Sequence, residues 1–485
     1  MDSTALLSAV NSYPGFFSPD APVFVARAPG RLDLMGGIAD YSGSLVLQLP
    51  LSVGTYVAAQ RTADGNLMVL SPVAADVGDE PLFTVPLATL AGAASAPTYR
   101  EAQALFALNP RTSWAAYVAG ALVVLARERK LNLTGGLRLL IVSSVPVGKG
   151  VASSASLEVA SMQAFCAACG LRLACQEMAL LCQRLENSVV GAPCGVMDQM
   201  VASCGEEHSL MSLLCRPARL QAPVPLPRGL LAWGLDSGVR HAVSGSGYEA
   251  VRVGAFMGYR IIADLAGMDV RTVAPGKVEI ADPLYGGYLA SIGPSAWESD
   301  YAARVLERMG GAEFLARYGG ISDAVTQVDP SRTYAVRAPA AHPIYEHYRV
   351  SLFRDTLAAV PSGETPDDAQ LRLLGNLMYA SHASYTACGL GSPCTDRLVE
   401  MVQQAGPKSG LFGARITGGG SGGTVAILGR AEAAPFVAEI ATRYASETGG
   451  PSLVLSGSSP GASAFGVATL LWDPAGHRAV GISAA

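Results

Sequence analysis

Charged side chains are scarce in this chain of 485 residues. Asp, Glu, Lys and Arg make up 15% of it, against roughly a quarter in a typical soluble protein. The 34 basic and 39 acidic residues nearly balance and leave a net charge of −5. A surface that coats nucleic acid needs an excess of positive charge. We therefore expect no nucleic-acid partner, while a local basic pocket for a small anion stays compatible with this composition.

Long apolar runs and targeting signals are also lacking. The longest apolar run, residues 114–126, has thirteen residues, whereas a helix needs about 20 to cross a bilayer. The opening residues, MDSTALLSAV, contain no basic segment ahead of an apolar one. We expect a cytoplasmic monomer with no membrane partner.

The nine cysteines do not form a recognisable framework. Cys166 and Cys169 have the CxxC spacing, but no second such pair follows. The pair lies in an apolar helical stretch, and a cytosolic protein keeps its thiols reduced. We interpret both as core residues instead of as a zinc or redox site.

Strand-like and helix-like segments alternate along the chain, which is typical of an α+β enzyme with two lobes. Residues 22–70 predict a sheet of short strands, and 113–130, 152–169, 176–190 and 366–406 predict helices. Residues 74–112 predict an irregular excursion, and 270–345 a helical insertion with loops. A boundary near residue 228 divides the chain into segments 1–227 and 228–485.

A glycine loop leads from a predicted strand into a predicted helix at residues 146–155, PVGKGVASSA. Glycines let backbone N–H groups turn toward an anion, and a helix N-terminus carries partial positive charge. Ser153 and Ser154 can cap the helix or contact a metal ion on a phosphate. The segment is not a Walker A loop, because that pattern needs glycine where Ser143 stands. An ordinary glycine turn with a serine cap is the alternative.

Two acidic residues follow this loop, Glu186 and Asp198. Each alone fits a hydrogen-bonded core group. Together, near a phosphate loop, they suggest a metal ligand and a group that deprotonates or orients a hydroxyl.

Two further glycine segments complete the set. Residues 417–423, TGGGSGG, contain the G-x-S-x-G pattern of hydrolases, but a short β-branched strand follows where that motif needs a helix. Residues 27–41, RAPGRLDLMGGIADY, turn through two glycines to an aspartate, which suits a small polar ligand.

These segments, in this order, resemble the GHMP kinase superfamily and its galactokinase branch. The resemblance implies a two-lobed α+β fold with a βαβ-type N-terminal lobe, a ferredoxin-like C-terminal lobe and the active site between them. It implies a sugar kinase with ATP and Mg²⁺ as its cofactors. A non-catalytic sugar sensor is a minor alternative, because some galactokinase relatives are regulators.

The resemblance also implies a role for each motif residue. Asp198 and Arg31 correspond to the catalytic pair at the anomeric hydroxyl, and whether Asp198 removes a proton or orients the hydroxyl stays open. Ser154 and Glu186 correspond to the magnesium contacts. The substrate pocket is assigned to Gly37, Ile38, Asp40, Tyr41, Gly195 and Tyr248. Nucleotide binding is assigned to Trp114, Tyr117, Gly148, Lys149, Gly150, Ala152, Ser153 and Ser154. The C-terminal glycine loop comprises Thr417, Gly418, Gly419, Gly420, Ser421 and Gly422.

The departures from the family pattern concern the substrate. Galactokinases carry Glu-His where this chain has Gly37-Ile38, and those side chains face the 6-hydroxyl of galactose. A 6-hydroxyl buried here without partners would cost roughly 1–3 kcal/mol for each lost contact. L-Arabinose has the same hydroxyl arrangement without a sixth carbon, and several motifs resemble the kinase region of plant-type L-arabinokinases. We expect an L-arabinose 1-kinase, with a galactokinase or relaxed aldose 1-kinase as the alternative. Exchange of Gly37 for Glu and Ile38 for His should raise galactose use.

Overall fold

The computed structural model describes residues 3–92, 96–239, 246–450 and 452–484. Within these ranges the α-helices are α1 (Thr4–Ser12), α2 (Ala88–Ala91), α3 (Tyr99–Ala107), α4 (Ala116–Arg129), α5 (Ser153–Ala168), α6 (Cys175–Leu185), α7 (Met197–Cys204), α8 (Ser246–Leu265), α9 (Pro294–Ala296), α10 (Gly311–Tyr318), α11 (Arg337–Ala358), α12 (Asp368–Ala387), α13 (Pro393–Ala405), α14 (Ala434–Thr448) and α15 (Ala462–Phe465).

The strands of the same ranges are β1 (Phe24–Met35), β2 (Leu45–Thr62), β3 (Asn66–Leu70), β4 (Leu82–Pro86), β5 (Gly136–Ser143), β6 (Ser209–Leu214), β7 (Arg219–Leu220), β8 (Val224–Pro225), β9 (Leu230–Asp236), β10 (Asp269–Ala274), β11 (Gly276–Ala281), β12 (Arg308–Gly310), β13 (Gly320–Ile321), β14 (Thr333–Ala335), β15 (Leu411–Ile416), β16 (Thr424–Arg430), β17 (Val454–Leu455), β18 (Ala468–Trp472) and β19 (Ala479–Ala484).

The larger sheet carries the first segment of the chain. Its order is β19-β18-β1-β2-β5-β3-β4. β6 pairs with the first residues of β2, and both β7 and β8 pair with β6. β3 and β5 are parallel, and the connection between them runs through helices α2 to α4. This is the predicted βαβ-type arrangement. Apolar side chains of α4, α5 and α6 pack on the sheet to form one core, which explains why the apolar run at 114–126 is helical and buried.

The smaller sheet has the ferredoxin-like topology. Its antiparallel strands lie in the order β15-β16-β9-β17, with α12 and α13 between β9 and β15 and α14 between β16 and β17. In chain order this is a β-α-β-β-α-β unit. The fold class expected from the sequence is therefore confirmed.

Three segments differ from the sequence-based expectation. β2 is eighteen residues long, so 22–70 is not a set of short strands. Residues 74–112 are not irregular, because they hold β4, α2 and α3, and Leu90 and Phe106 pack in the core of the first lobe. Residues 270–345 contain a three-stranded and a two-stranded sheet beside one full helix, α10, packed against α8 and α11. Short, exposed strands such as β10 carry no apolar alternation, which is why the sequence did not reveal them.

The end of the described chain returns to the first sheet. β18 pairs with β1, and β19 pairs with β18. The division at 227/228 stays a prediction, and these pairings join strands of the second segment to the sheet of the first. All nine cysteines are free thiols, and Cys166 is buried in α5. None of the helices in the described ranges is long and apolar enough to cross a membrane.

Candidate active site

A cavity of about 440 Å³ lies between the two sheets. Its wall contains seventeen of the residues that the sequence singled out: Arg31, Gly37, Ile38, Asp40, Trp114, Tyr117, Gly148, Gly150, Ala152, Ser153, Ser154, Glu186, Gly195, Asp198, Tyr248, Gly418 and Gly419. Six others do not line it: Tyr41, Lys149, Thr417, Gly420, Ser421 and Gly422. Segments far apart in the sequence thus form one site.

Arg31 and Asp198 form a two-pronged ion pair at the wall of this cavity. Nε of Arg31 lies 2.8 Å from Oδ1 of Asp198, and Nη2 lies 2.9 Å from Oδ2. Nη1 of the same arginine donates to the carbonyl of Gly150 at 2.6 Å. Arg31 is buried and Asp198 is partly exposed. The arginine therefore fixes the carboxylate and ties it to the glycine-serine loop.

The start of α5 faces the cavity without a side-chain cap. Ala152 stands at the cap position in the left-handed conformation, with φ of 60°, and makes no side-chain hydrogen bond there. The alternative of a serine cap is therefore wrong: Ser153 and Ser154 are in the first turn and line the cavity. The first-turn N–H groups of a sixteen-residue helix face the cavity without a side-chain cap and form a suitable anion site.

Lys149 points away from the cavity. Its ammonium forms an ion pair of 2.9 Å with Asp236 at the end of β9, and both side chains are largely buried. Its carbonyl accepts a hydrogen bond of 2.8 Å from Thr424. Lys149 therefore links the glycine-serine loop to the second lobe and does not line the cavity in this conformation.

Three buried polar side chains meet behind Ser154. Gln199 donates to Glu186 at 2.6 Å and to Glu158 at 3.1 Å. Burial raises the pKa of Glu186, with a further contribution from the charge of Asp198, and hydrogen bonds from Cys194 and Ser154 oppose the rise. Burial and the neighbouring Glu186 likewise raise the pKa of Glu158. Oε1 of Glu158 has no hydrogen-bond partner.

This acidic group fits a divalent cation held mainly by phosphate. A buried cluster of carboxyl groups of this kind favours a positive ion. The described residues include no group of three or more His, Cys, Asp or Glu arranged to hold a metal alone. Mg²⁺ is commonly bound through one or two carboxylates plus substrate phosphates, and Ser154 with Glu186 suits that pattern.

Asp40 forms the floor of the cavity on the other side of Asp198. Burial and the charge of Asp198 raise its pKa to about 7. One oxygen accepts a hydrogen bond of 2.6 Å from the backbone of Tyr41. Gly195 lies directly against this carboxylate, and a Cβ at that position would collide with it. Gly195 therefore acts through its lack of a side chain.

Tyr41 lies behind the cavity wall and supports it. Arg252 lies 5.1 Å from the centre of the Tyr41 ring, and the Tyr248 ring meets Tyr41 edge-on at 6.0 Å. Asp323 holds Arg252 through two hydrogen bonds of 2.8 Å. Asp323 belongs to the 270–345 segment, so this segment reaches the site through Arg252.

Trp114 and Tyr117 also line the cavity. The indole N–H of Trp114 donates to the carbonyl of Glu80 at 2.9 Å. Burial raises the pKa of Tyr117 well above its usual range, so its hydroxyl stays neutral. The two rings therefore offer flat, uncharged surface of the kind on which a base can stack.

The C-terminal glycine loop meets the other two motifs at close range. The hydroxyl of Thr417 accepts a hydrogen bond of 2.8 Å from the backbone of Asp33, and the backbone N–H of Gly418 lies 3.3 Å from the Asp33 carboxylate. Arg415 pairs with that carboxylate at 3.0 Å in a fully buried ion pair. The loop is thereby fixed to the strand that carries Arg31.

Several cavity residues had no sequence signal. Ser71 and Val73 line the cavity from just before the segment 74–112, which was expected to be an irregular excursion, and Ala74 and Asp79 line it from within that segment. Cys194 also lines it, and its backbone N–H donates to Asn187 at 2.9 Å. None of these residues belongs to a recognisable motif, so only the fold brings them to the site.

Family models match three parts of the chain. Residues 116–206 match the GHMP kinases N terminal domain, 12–61 the galactokinase galactose-binding signature and 368–447 the GHMP kinases C terminal domain. A galactokinase from Chloroflexus aggregans is 32% identical, with 88% of this chain and 90% of that protein covered. The chain belongs to the GHMP kinase family. The family expected from the motifs is thus confirmed, including its galactokinase branch.

A second relative is the L-arabinokinase of Arabidopsis thaliana. It is 42% identical over 93% of this GHMP kinase chain. The match covers 47% of the plant protein, so the chain spans about half of its length.

Solved structures agree with the fold. Lactococcus lactis galactokinase in complex with galactose superposes with a TM-score of 0.68 at 21% identity, covering 90% of this chain and 94% of that one. Methanococcus jannaschii mevalonate kinase superposes with a TM-score of 0.54 at 12% identity, covering 90% of this chain and 98% of that one. At these identities the likeness concerns the fold.

Proposed function

We propose that this GHMP kinase transfers the γ-phosphate of ATP to the anomeric hydroxyl of L-arabinose, giving L-arabinose 1-phosphate and ADP. One observation carries the proposal: a single cavity holds the Arg31–Asp198 pair, the Asp40 carboxylate and the uncapped start of α5. The start of α5 offers a site for the phosphates, and the carboxylates of Asp198 and Asp40 offer acceptors for sugar hydroxyls. Their presence in one cavity suits phosphoryl transfer to a sugar.

The choice of a pentose rests on Gly37 and Ile38. Both line the cavity near Asp40, and neither side chain can donate or accept a hydrogen bond. A 6-hydroxyl at this wall would lose its water partners without replacement, a cost of roughly 5- to 150-fold in affinity. The 42% identity to a protein named L-arabinokinase supports the same choice.

In the proposed reaction Asp198 accepts a hydrogen bond from the anomeric hydroxyl. Arg31 already occupies both carboxylate oxygens, which fixes the direction in which the remaining lone pairs point. The hydroxyl oxygen bonds to the γ-phosphorus as the bond to the bridging oxygen of ADP breaks. In a loose transition state the proton leaves late, so orientation by Asp198 precedes its uptake of the proton.

The start of α5 receives the phosphates in this proposal. Its unpaired N–H groups and the two serine hydroxyls supply donors, and Trp114 with Tyr117 supports the base. Ser154 and Glu186 would hold Mg²⁺, which would neutralise charge on the phosphates.

A galactokinase is the second candidate, favoured by the galactose-binding signature at residues 12–61 and the Chloroflexus relative. It requires a donor for the 6-hydroxyl from outside the 37–38 pair.

The test is the specificity constant kcat/KM for L-arabinose, D-galactose and D-fucose, which keeps the sixth carbon but lacks its hydroxyl. ATP-dependent ADP release and phosphorus NMR of the product report rate and position. We expect arabinose to exceed fucose, and fucose to exceed galactose. A preference for galactose would favour the second candidate, and absence of turnover with intact sugar binding would favour a sensor.

We also propose that the protein is a monomer and that it is located in the cytoplasm. Size-exclusion chromatography and cell fractionation test them.

A further inference from the structure

Three successive backbone N–H groups of the sugar motif are each bound by a buried side chain. Gly36 donates to Glu346 at 3.3 Å, Gly37 to Asp33 at 3.1 Å and Ile38 to the hydroxyl of Tyr385 at 2.8 Å. All three acceptors are buried. Buried acceptors that do not line the cavity therefore fix the backbone that forms the cavity wall at residues 37–38.

Tyr385 differs from the other two acceptors because it also contacts the opposite loop. Its hydroxyl donates to the carbonyl of Gly418 at 2.9 Å while it accepts from Ile38. Burial raises the pKa of Tyr385 well above its usual range, so the proton for this bond is retained. One hydroxyl thus connects the sugar motif of the first lobe to the glycine loop of the second.

The same hydroxyl fills the space beside Gly37. A Cβ at this position would overlap the Tyr385 hydroxyl, and it would lie 2.8 Å from the ring carbon that carries this hydroxyl and 2.8 Å from a carboxylate oxygen of Asp33. The φ angle of Gly37 is +42°, which adds backbone strain for any other residue. Tyr385 does not line the cavity, but it packs in one cluster with Ile38 and Tyr248, which do.

We propose that Tyr385 is a positioning residue for sugar specificity. Its hydroxyl leaves no room for a side chain at position 37 and fixes the position of the Ile38 backbone. The cavity wall beside the sugar therefore stays apolar and near the sugar. The inference rests on the proposed sugar kinase function and explains how the 37–38 pair is maintained.

This contact changes the expectation for the Gly37→Glu and Ile38→His exchange. The glutamate has no room while Tyr385 is present. The exchange raises galactose use only when Tyr385 is replaced by a smaller residue as well.

The test is a double-mutant cycle on Gly37→Ala and Tyr385→Leu, measured as kcat/KM for L-arabinose and D-fucose. We expect Gly37→Ala to lower kcat/KM about 100-fold in the wild-type background and less than about 10-fold in the Tyr385→Leu background. The strain of a positive φ and the close contact with the Asp33 carboxylate are present in both backgrounds, so they cancel from the difference.

The ratio of kcat/KM for arabinose to kcat/KM for fucose, measured on one protein sample, distinguishes a role in specificity from a purely structural role. The arabinose-to-fucose ratio does not depend on the fraction of protein that is folded, and we expect Tyr385→Leu to lower it at least about 5-fold with the KM for ATP nearly unchanged. Tyr385→Phe keeps the ring against position 37 and removes both hydrogen bonds, so it should raise the sugar KM and still exclude alanine at 37. Tyr444→Phe is the matched control, because its buried hydroxyl also donates to a carbonyl, of Ser237, at 2.9 Å.

Equal losses for Gly37→Ala in both backgrounds, or an unchanged sugar ratio in Tyr385→Leu and Tyr385→Phe, would overturn the proposal. If the wild-type protein prefers galactose, the substrate assignment fails and the cycle is run on galactose. The double-mutant cycle measures the coupling between positions 37 and 385 with either sugar.

Discussion

Asp40 offers a direct test of how the buried site is charged. The residue is only 5% exposed, and burial followed by the charge of Asp198 raises its pKa from 3.8 to about 7. Arg252 and the backbone N–H of Tyr41 oppose the rise. The perturbation is Asp40→Asn, which keeps the shape and removes the ionisation.

The sign follows from linkage. Because the folded pKa exceeds the unfolded one, the protonated group stabilises the fold below about pH 4, and this stabilisation is lost as pH rises to about 7. A shift of about three units, at 1.36 kcal/mol per unit, amounts to about 4 kcal/mol in total. Between pH 5 and pH 8 the wild-type protein should lose about 3 kcal/mol relative to Asp40→Asn.

The assay is urea unfolding of both proteins across this pH range without ligands. Asp264→Asn, an exposed carboxylate on α8, is the control and should follow the wild-type profile. The sugar kcat/KM of the wild-type protein should rise through pH 7 as the carboxylate forms. Parallel unfolding profiles for wild type and Asp40→Asn, within about 0.5 kcal/mol, would refute the charge assignment.

Three further substitutions probe the remaining contacts. Asp198→Asn should lower kcat at least about 100-fold with ATP affinity unchanged by calorimetry, and near-normal turnover would contradict its role. Asp323→Asn should release Arg252 and raise the sugar KM about 10-fold while the KM for ATP stays constant; equal effects on both would contradict the link. Asp33→Asn should leave Arg415 without its buried counter-charge and reduce the unfolding free energy by about 3–5 kcal/mol in urea, and a loss below about 1 kcal/mol would show that the pair adds little.

The sequence predicted the site where chemistry imposes a local pattern. A strand, a glycine loop and a helix start are specified by a short local pattern, and residues 146–155 do lead from β5 into α5, with part of the loop on the cavity wall. Helices such as α4 and α12 followed from long apolar or periodic runs, which local composition records.

Side-chain partners across the chain could not be predicted in this way. Lys149 pairs with Asp236, and Arg415 with Asp33, over separations that no local pattern encodes. Ala152 stands at the cap position of α5 in a left-handed conformation, although serine is the residue that is locally preferred there. No local pattern predicted that Tyr385 fills the space beside Gly37, because the two residues are 348 positions apart.

The pairing of β18 with β1 has a consequence for biosynthesis. Phe24 and Val25 face Thr469 and Ala468, so the strand that carries the sugar motif gains this neighbour only after more than 440 further residues have been synthesised. Until then one edge of β1 offers unpaired N–H and C=O groups to other chains. Such long-range closure slows folding and prolongs exposure to aggregation. A nascent chain stalled before residue 468 should therefore depend on chaperones more than a chain that includes β18 does.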